Sequence, residues 1–174
     1  MKSLFPVLAS LLVLSACTSP VTLLEKGNYD LVVKRGVKRL TGQTRKSPKW
    51  VRALEEGFAK ATKRDLSAIE RLKLEGQPAN WPAIHVRYTQ IKKRNELVAP
   101  LLPLIDKEGY SARFVLPNVN ELEYEARQKA ATFVYEKGVL SLKKGREGNK
   151  IEARKAFYLF DEVGTYFTDF RDRK

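Results

Sequence analysis

Cysteine and histidine are almost absent from this chain: Cys17 and His85 are the only residues of their kinds among 174. One thiol excludes an intrachain disulfide, and one histidine excludes a metal site built from several histidines. The longest apolar run, Leu4 to Leu14, is too short to span a bilayer as a helix, which takes about 20 residues. Neither a glycine-rich phosphate-binding motif nor a nucleophile-elbow motif is present. The sequence therefore predicts neither an enzyme nor a bound cofactor or metal.

Positive charge is the main bias in what remains. Lysine and arginine outnumber acidic residues by 33 to 20, which is a formal net charge of +13, and 43% of the residues are hydrophobic. That hydrophobic content suits a globular domain with a core rather than a disordered chain. The charge favours polyanionic partners, but the basic residues are scattered along the predicted helices. They form either solvated helix surface or a face for anionic lipids or cell-wall polymers.

A segment with the layout of a secretory leader precedes the cysteine. Lys2 supplies a positive charge, Leu4–Leu14 is apolar, and small residues follow in Leu14-Ser15-Ala16-Cys17. These last four residues resemble the lipobox of bacterial lipoproteins. The resemblance implies cleavage before Cys17 and covalent attachment of diacylglycerol and further acyl chains to that residue. The alternatives are an ordinary secretory signal with a cysteine nearby, or an uncleaved anchor.

The lipoprotein resemblance also implies a compartment. Two or three acyl chains hold a protein firmly on a membrane, whereas one chain anchors it only marginally. Thr18 follows the cysteine, where an aspartate often marks retention at the inner membrane in this family. We therefore expect a protein of the cell envelope, at the periplasmic face of the outer membrane, without a nucleic-acid partner. Cleavage would remove Lys2, the only charged residue of the leader, and leave a net charge of +12.

Apolar residues recur at helical spacing through most of the chain. The predicted N-caps are four asparagines: Asn28, Asn80, Asn120 and Asn149. Another helix is expected from about Trp50, followed by a separate short helix capped by Asp65 with Leu66 facing inward. Residues 97–119 contain three prolines and are predicted to be irregular, with a short extended piece at 113–116. On the last two predicted helices the inward stripe includes large apolar residues: Leu122, Phe133, Leu140, Phe157 and Phe160.

In two helix openings a small residue precedes a large apolar one by four, Ala68/Leu72 and Ala153/Phe157, whereas a third opening, Val32/Gly36, fits this pattern poorly. This pattern resembles the second helix of tetratricopeptide repeats, whose period is about 34 residues. Gly57 and Gly138 are then candidates for the small contact residue of the first helix. The resemblance implies an all-α fold of helical hairpins with a proline-rich irregular insertion. A non-repetitive helical bundle is the alternative.

The expected organisation has three parts. Residues 1–16 are a lipoprotein signal peptide, residues 17–26 are the lipidated N-terminus and a tether, and residues 27–174 are a helical domain. The irregular segment at about 97–119 interrupts that domain.

Aromatic residues outside the predicted stripes are the candidates for partner contact. Tyr124 and Tyr135 face away from the stripe of their helix, and Tyr166, Phe167 and Phe170 follow a predicted helix stop at Gly164. For the last three, packing as a cap or core is the alternative. We expect a membrane-anchored scaffold that binds envelope proteins. A lipid- or cell-wall-binding module remains open, as does an envelope hydrolase using one of the paired carboxylates.

Overall fold

The structure, a computed structural model, describes residues 19–171. This part of the chain contains six α-helices: α1 Pro20–Glu25, α2 Tyr29–Leu40, α3 Pro48–Leu74, α4 Trp81–Val98, α5 Asn120–Arg146 and α6 Lys150–Tyr166. Short 3₁₀ turns at Pro78–Asn80 and Ala99–Leu101 flank α4. No strand forms between residues 19 and 171, where β-pairing is limited to an isolated bridge between Ile105 and Ser111. The predicted all-α fold class is confirmed.

Polar residues at the helix starts explain two of the boundaries. The Asn149 side chain accepts hydrogen bonds from the backbone N–H groups of Ile151 and Glu152, at 3.1 and 3.2 Å, so it caps α6 as predicted. Ser19 caps α1 in the same way. Asn80 does not cap α4, because its side-chain amide donates back to the Leu72 carbonyl oxygen at the end of α3.

The second helical region differs from the prediction. Residues 48–74 form one continuous helix, so a separate short helix capped by Asp65 does not exist. No glycine or proline lies between Phe58 and Leu74, and nothing in that stretch interrupts helical hydrogen bonding. Leu66, expected to face inward, is exposed. Because Gly57 and Ala68 lie on the same helix, their assignment to the two helices of one hairpin is wrong.

Helices that are adjacent in sequence pack against each other from α2 to α6, and α1 contacts α2 and α3. Glycines permit the closest approaches. Gly57 of α3 lies against Val32 of α2, and a Cβ built on Gly57 would stand 2.9 Å from the Val32 Cγ1 atom. At the end of the last hairpin, a Cβ on Gly145 would stand 2.8 Å from the Ala153 Cα atom. Small residues thus set the spacing of these helices.

Two segments outside the long helices also contribute to the core. Within the predicted tether, residues 20–25 form α1, whose Leu23 and Leu24 side chains are buried against α2 and α3. Residues 102–119, which form no helix, place Leu104 and Ala112 in the cluster built by α2, α3 and α4. The predicted irregular segment of about 97–119 agrees with the structure from residue 102 onward, whereas Leu97 and Val98 belong to α4 and Ala99–Leu101 form a 3₁₀ turn.

The inward stripes predicted for α5 and α6 are partly wrong. Leu122, Leu140 and Phe157 are exposed, the last two by 64% and 68%. For Leu140, the reason lies in the length of α5. Lys129, near its middle, already lies over the ring of Trp81 at the start of α4, so the rest of α5 runs beyond α4 and packs on α6. That contact is made through small residues such as Gly138 and Ser141, which leaves large neighbours in solvent.

Candidate functional site

A buried charge network joins α2, α3 and α4. The Asp65 carboxylate of α3 is fully buried, and it accepts hydrogen bonds from Arg94 of α4 and, at 2.8 Å, from Arg87. Arg94 is 3% exposed, and it also donates to Asp30 of α2 at 2.9 Å and to Thr62 at 3.1 Å. Each of these buried charges has partners of opposite sign, as burial requires. The network therefore fixes the three helices relative to one another.

The network shifts the pKa values of two of its members, Asp30 and Arg94. Burial by itself would raise the pKa of Asp30, but the hydrogen bond from Arg64 and the positive charges of Arg94 and Arg64 outweigh it and lower that pKa. Burial also lowers the pKa of Arg94, against the opposing charge of Asp30. Sequence patterns did not reveal this network. The sequence did contain a hint of it. Arg94 lies three residues after the inward-facing Ile91, and Asp65 lies in the middle of another helical stretch.

The C-terminal aromatic residues fold back along α5. Phe167 lies 6.0 Å from Tyr124 between ring centroids, and it stacks on Phe170 at 5.9 Å. Phe170 in turn lies 6.0 Å from Tyr135. Four of the five candidate contact residues thus form one row, which we call the aromatic row: Tyr124, Tyr135, Phe167 and Phe170.

Two arginines and a shallow cavity complete the aromatic row. The Arg127 guanidinium lies 4.8 Å from the Phe167 ring centroid, and Arg171 lies 5.1 Å from that of Tyr135. A cavity of about 290 Å³ opens beside Tyr124, Phe167 and Phe170. The row is therefore half-buried by its own packing and keeps one open, amphipathic side. Phe167 and Phe170 thus pack on α5, as the cap alternative expected, and their contact with a partner stays a prediction.

The fifth candidate residue lies apart from the row. Tyr166 packs edge-on against His85 of α4 at 5.4 Å between centroids, and burial raises its pKa. His85 lies 3.2 Å from a Glu123 carboxylate oxygen. Burial lowers the pKa of His85 despite the attraction of Glu123. Tyr166 thus anchors the end of α6 to α4 rather than joining the open surface.

The outer face of α6 presents large apolar residues to solvent, which the sequence analysis missed. Ile151, Phe157 and Tyr158 are 79%, 68% and 62% exposed. Ile151 and Tyr158 are seven residues apart and lie on the same side of the helix, and the Phe157 ring adjoins that of Tyr158 at 5.6 Å. The signal was available: Ala156 and Val163, also seven apart, already mark the buried side.

The sequence that forms the end of the last hairpin is rich in basic residues. Between residues 137 and 158 there are seven lysines and arginines and two glutamates. Contiguous exposed apolar groups rimmed by polar ones mark interaction sites more often than single exposed residues do. The arrangement suits binding rather than covalent chemistry.

The paired carboxylates that the sequence offers for catalysis are Glu55/Glu56, Glu121/Glu123/Glu125 and Asp161/Glu162, and several of them have structural partners. Glu55 accepts hydrogen bonds from the Tyr110 hydroxyl at 2.6 Å and from the Arg113 backbone N–H at 2.8 Å. Glu125 is paired with Lys129 on the same helix. Among residues 19–171, no group of three or more histidine, cysteine, aspartate or glutamate side chains is arranged to hold a metal ion.

The lipobox, the signal peptide and Cys17 lie outside the described residues. None of the helices between residues 19 and 171 combines the length and hydropathy needed to cross a bilayer. No protein-family model matches the chain, and no curated protein or solved structure is significantly similar to it.

Proposed function

We propose that this protein is an envelope lipoprotein, acylated at Cys17, whose helical body holds a partner protein at the membrane surface. The leader-like N-terminus and the Leu14-Ser15-Ala16-Cys17 motif support the anchor. Tethering confines the body to a membrane surface and raises its effective concentration toward other membrane components. No catalytic step and no cofactor beyond the acyl chains belong to this proposal.

The observation that carries the proposal is the exposed apolar outer face of α6. Three large side chains there are each more than 60% exposed, although a monomer gains by burying such groups. The body is a row of helices in which each one packs on its sequence neighbours, and among residues 19–171 the main packing partner of α6 is α5. An apolar helix face that no described helix covers favours a partner that covers it.

We also propose that α5 and α6 form a tetratricopeptide-like hairpin. Gly138 of α5 lies against the Phe160 ring, as expected for the small contact residue of a first helix. The α5 and α6 helices make the most extensive helix pair of the body. The repeat interpretation is limited to this pair, because α3 is continuous.

Crosslinking from membranes tests the scaffold. A photoreactive residue replacing Tyr158 should capture a protein partner, and a second substitution, Ile151→Glu, should abolish the capture. Val86→Glu is the matched control, since Val86 is also exposed, by 51%, but lies on α4. Capture that is unaffected by Ile151→Glu, or no capture above that of a Cys17→Ala strain, would contradict the proposal.

The basic residues of the last hairpin favour a second candidate, direct binding to anionic lipid or cell-wall polymer. Seven positive charges near exposed apolar groups are suited to an anionic surface. Salt separates the two candidates, because screening weakens attraction between solvent-exposed charges. Binding to vesicles containing anionic lipid that disappears between about 0.05 and 0.5 M salt favours the second candidate. A protein partner retained at the higher concentration favours the scaffold.

A further inference from the structure

A groove separates α3 from the extended residues 113–117, on a part of the surface distinct from α6. Its volume is about 360 Å³. Phe58 and Leu66 of α3 line one wall, and Val115 and Pro117 line the other. Val115 is 83% exposed, so this wall is open to solvent. The sequence-based expectation of an extended piece at 113–116 agrees with the absence of any helix or turn there.

Side chains alternate along this extended piece as they do in a β-strand. Phe114 and Leu116 pack inward on the core cluster, where the Phe114 ring meets Phe58 edge-on at 5.4 Å. The residues that alternate with them, Arg113 and Val115, line the groove. A period of two is the strand pattern, and it orients the backbone polar groups along the edge of the segment.

The backbone of this segment has unused hydrogen-bonding capacity. Among the described residues, the N–H groups of Phe114, Val115 and Leu116 have no hydrogen-bond acceptor, and their carbonyl oxygens accept no hydrogen bond. The backbone groups on either side are paired: the Ala112 N–H donates to the Leu104 carbonyl oxygen, the Arg113 N–H donates to Glu55, and the Pro117 carbonyl oxygen accepts from the Asn95 side chain. Unpaired extended backbone of this kind is a template for pairing with another extended chain.

Cations predominate around the groove. Lys63 and Arg113 line it together with one carboxylate, Glu70, and within residues 19–171 neither cation forms a salt bridge. The nearest partner of Arg113 is bound through its backbone, which leaves the guanidinium available. A ligand that carries a negative charge beside an apolar group would therefore match both the cations and the apolar walls of the groove.

We propose that the groove binds an extended segment of a partner protein by strand addition along residues 114–116. One apolar side chain of that segment enters between Leu66 and Val115, and an adjacent carboxylate pairs with Lys63 or Arg113. Main-chain hydrogen bonds supply affinity and the alternating side chains supply selectivity, as in other strand-addition complexes. The proposal requires neither the lipid on Cys17 nor a partner on α6, so it stands or fails independently of the scaffold.

The experiment uses the full-length protein in mild detergent and three labelled probes. The first is the acetylated peptide Glu-Val-Leu-Val-Glu, the second is the same peptide with its central amides N-methylated, and the third is Lys-Val-Leu-Val-Lys. Fluorescence anisotropy should show the first peptide binding, and the other two binding at least about tenfold more weakly. Hydrogen exchange of the amides of residues 114–116 should slow when the first peptide binds.

Val115→Glu should weaken binding of the acidic peptide about tenfold or more, the factor that loss of one buried valine contact produces. Val86→Glu, at another exposed valine, should leave it unchanged. Circular dichroism checks that both variants fold. Absence of binding up to about 1 mM, equal binding of the N-methylated peptide, or displacement of the peptide by lauric acid would overturn the proposal. So would a dimer of the chain that Val115→Glu dissociates, because the groove would then hold a second copy.

Discussion

Asp65 illustrates how a single residue departs from its local preference. Aspartate is a poor choice for the interior of a 27-residue helix, because its side chain competes with the backbone and favours caps. Here the carboxylate instead meets arginines from the neighbouring helix, Arg94 and Arg87. Tertiary pairing thus outweighs a local preference worth less than about 1 kcal/mol.

Removing the Asp65 carboxylate should destabilise the protein severely. Asp65→Ala leaves Arg94 buried with only Asp30 to balance it, and we expect a loss of about 3–5 kcal/mol in the free energy of unfolding, measured by urea denaturation. Arg87→Ala, at a partner with a 37% exposed side chain, should cost about 1 kcal/mol or less. The double variant Asp65→Leu/Arg94→Met should recover much of the lost stability. Equal losses in Asp65→Ala and Arg87→Ala would contradict this interpretation.

Acid should weaken the same network through Asp30. Its pKa is lower in the folded protein than in the unfolded chain, so it contributes stability above the unfolded value of about 4 that is lost as pH falls through the folded value. Urea denaturation between pH 7 and pH 2 should therefore show falling stability. The difference in free energy of unfolding between the wild type and Asp30→Asn should become smaller at low pH. A difference that does not change with pH would contradict the contribution assigned to Asp30.

At the scale of elements, helix spacing is set by glycine. Gly57 lets α3 pack closely on α2, and Gly145 lets α5 pack closely on α6. A larger residue at either position would push the two helices apart. In α5 the contact is made at the end of the hairpin, beyond the support of α4. Packing there depends on α6 alone.

Gly145→Ala should open the end of the last hairpin. The added methyl group would meet backbone atoms of Ala153 at 2.8 Å, and backbone cannot move aside as cheaply as the end of a side chain. We expect a loss of about 1–3 kcal/mol by thermal unfolding, with faster hydrogen exchange at the start of α6. Gly36→Ala is the control, because its new Cβ would stand 3.2 Å from the Leu54 Cβ and the gain in helix propensity offsets part of the strain. The interpretation fails if Gly36→Ala is the more harmful change.

At the scale of the whole molecule, the proposed membrane anchor depends on the single thiol of Cys17, whereas the positive charge is spread over many residues. The net charge of +13 attracts the body to anionic surfaces, and that attraction is screened by salt. Acyl chains on Cys17 would not be released by salt. The two modes of membrane association are therefore separable by washing.

Cys17→Ala should move the protein from the membrane fraction into the high-salt wash, whereas the wild type should stay in the pellet. Each buried CH₂ group of an acyl chain contributes about 0.8 kcal/mol, so the difference should be nearly complete. Mass spectrometry of the mature N-terminal peptide checks the modification directly. An unmodified thiol at residue 17 would contradict the anchor, whatever the fractionation shows.

The arrangement of the candidate contact residues was only partly predictable. Tyr124, Tyr135, Phe167 and Phe170 were selected because they lie off the apolar stripes, and they do meet in one row. Phe157 and Leu140 were assigned to the core because they fit a helical period. Periodicity reports which residues share a face, but it does not report whether a neighbouring helix is long enough to cover that face.

The amino-acid sequence by itself determined the helical class, the Asn149 cap and the irregular stretch before α5, because each depends on interactions within a few residues of chain. Only the tertiary structure decided the pairing of Asp65 with Arg94, the exposure of the outer face of α6 and the groove beside residues 113–117. Those features join residues that are 29 or more positions apart, or depend on where a neighbouring helix ends. Local propensity carries no information about either, since both arise only when the helices are packed.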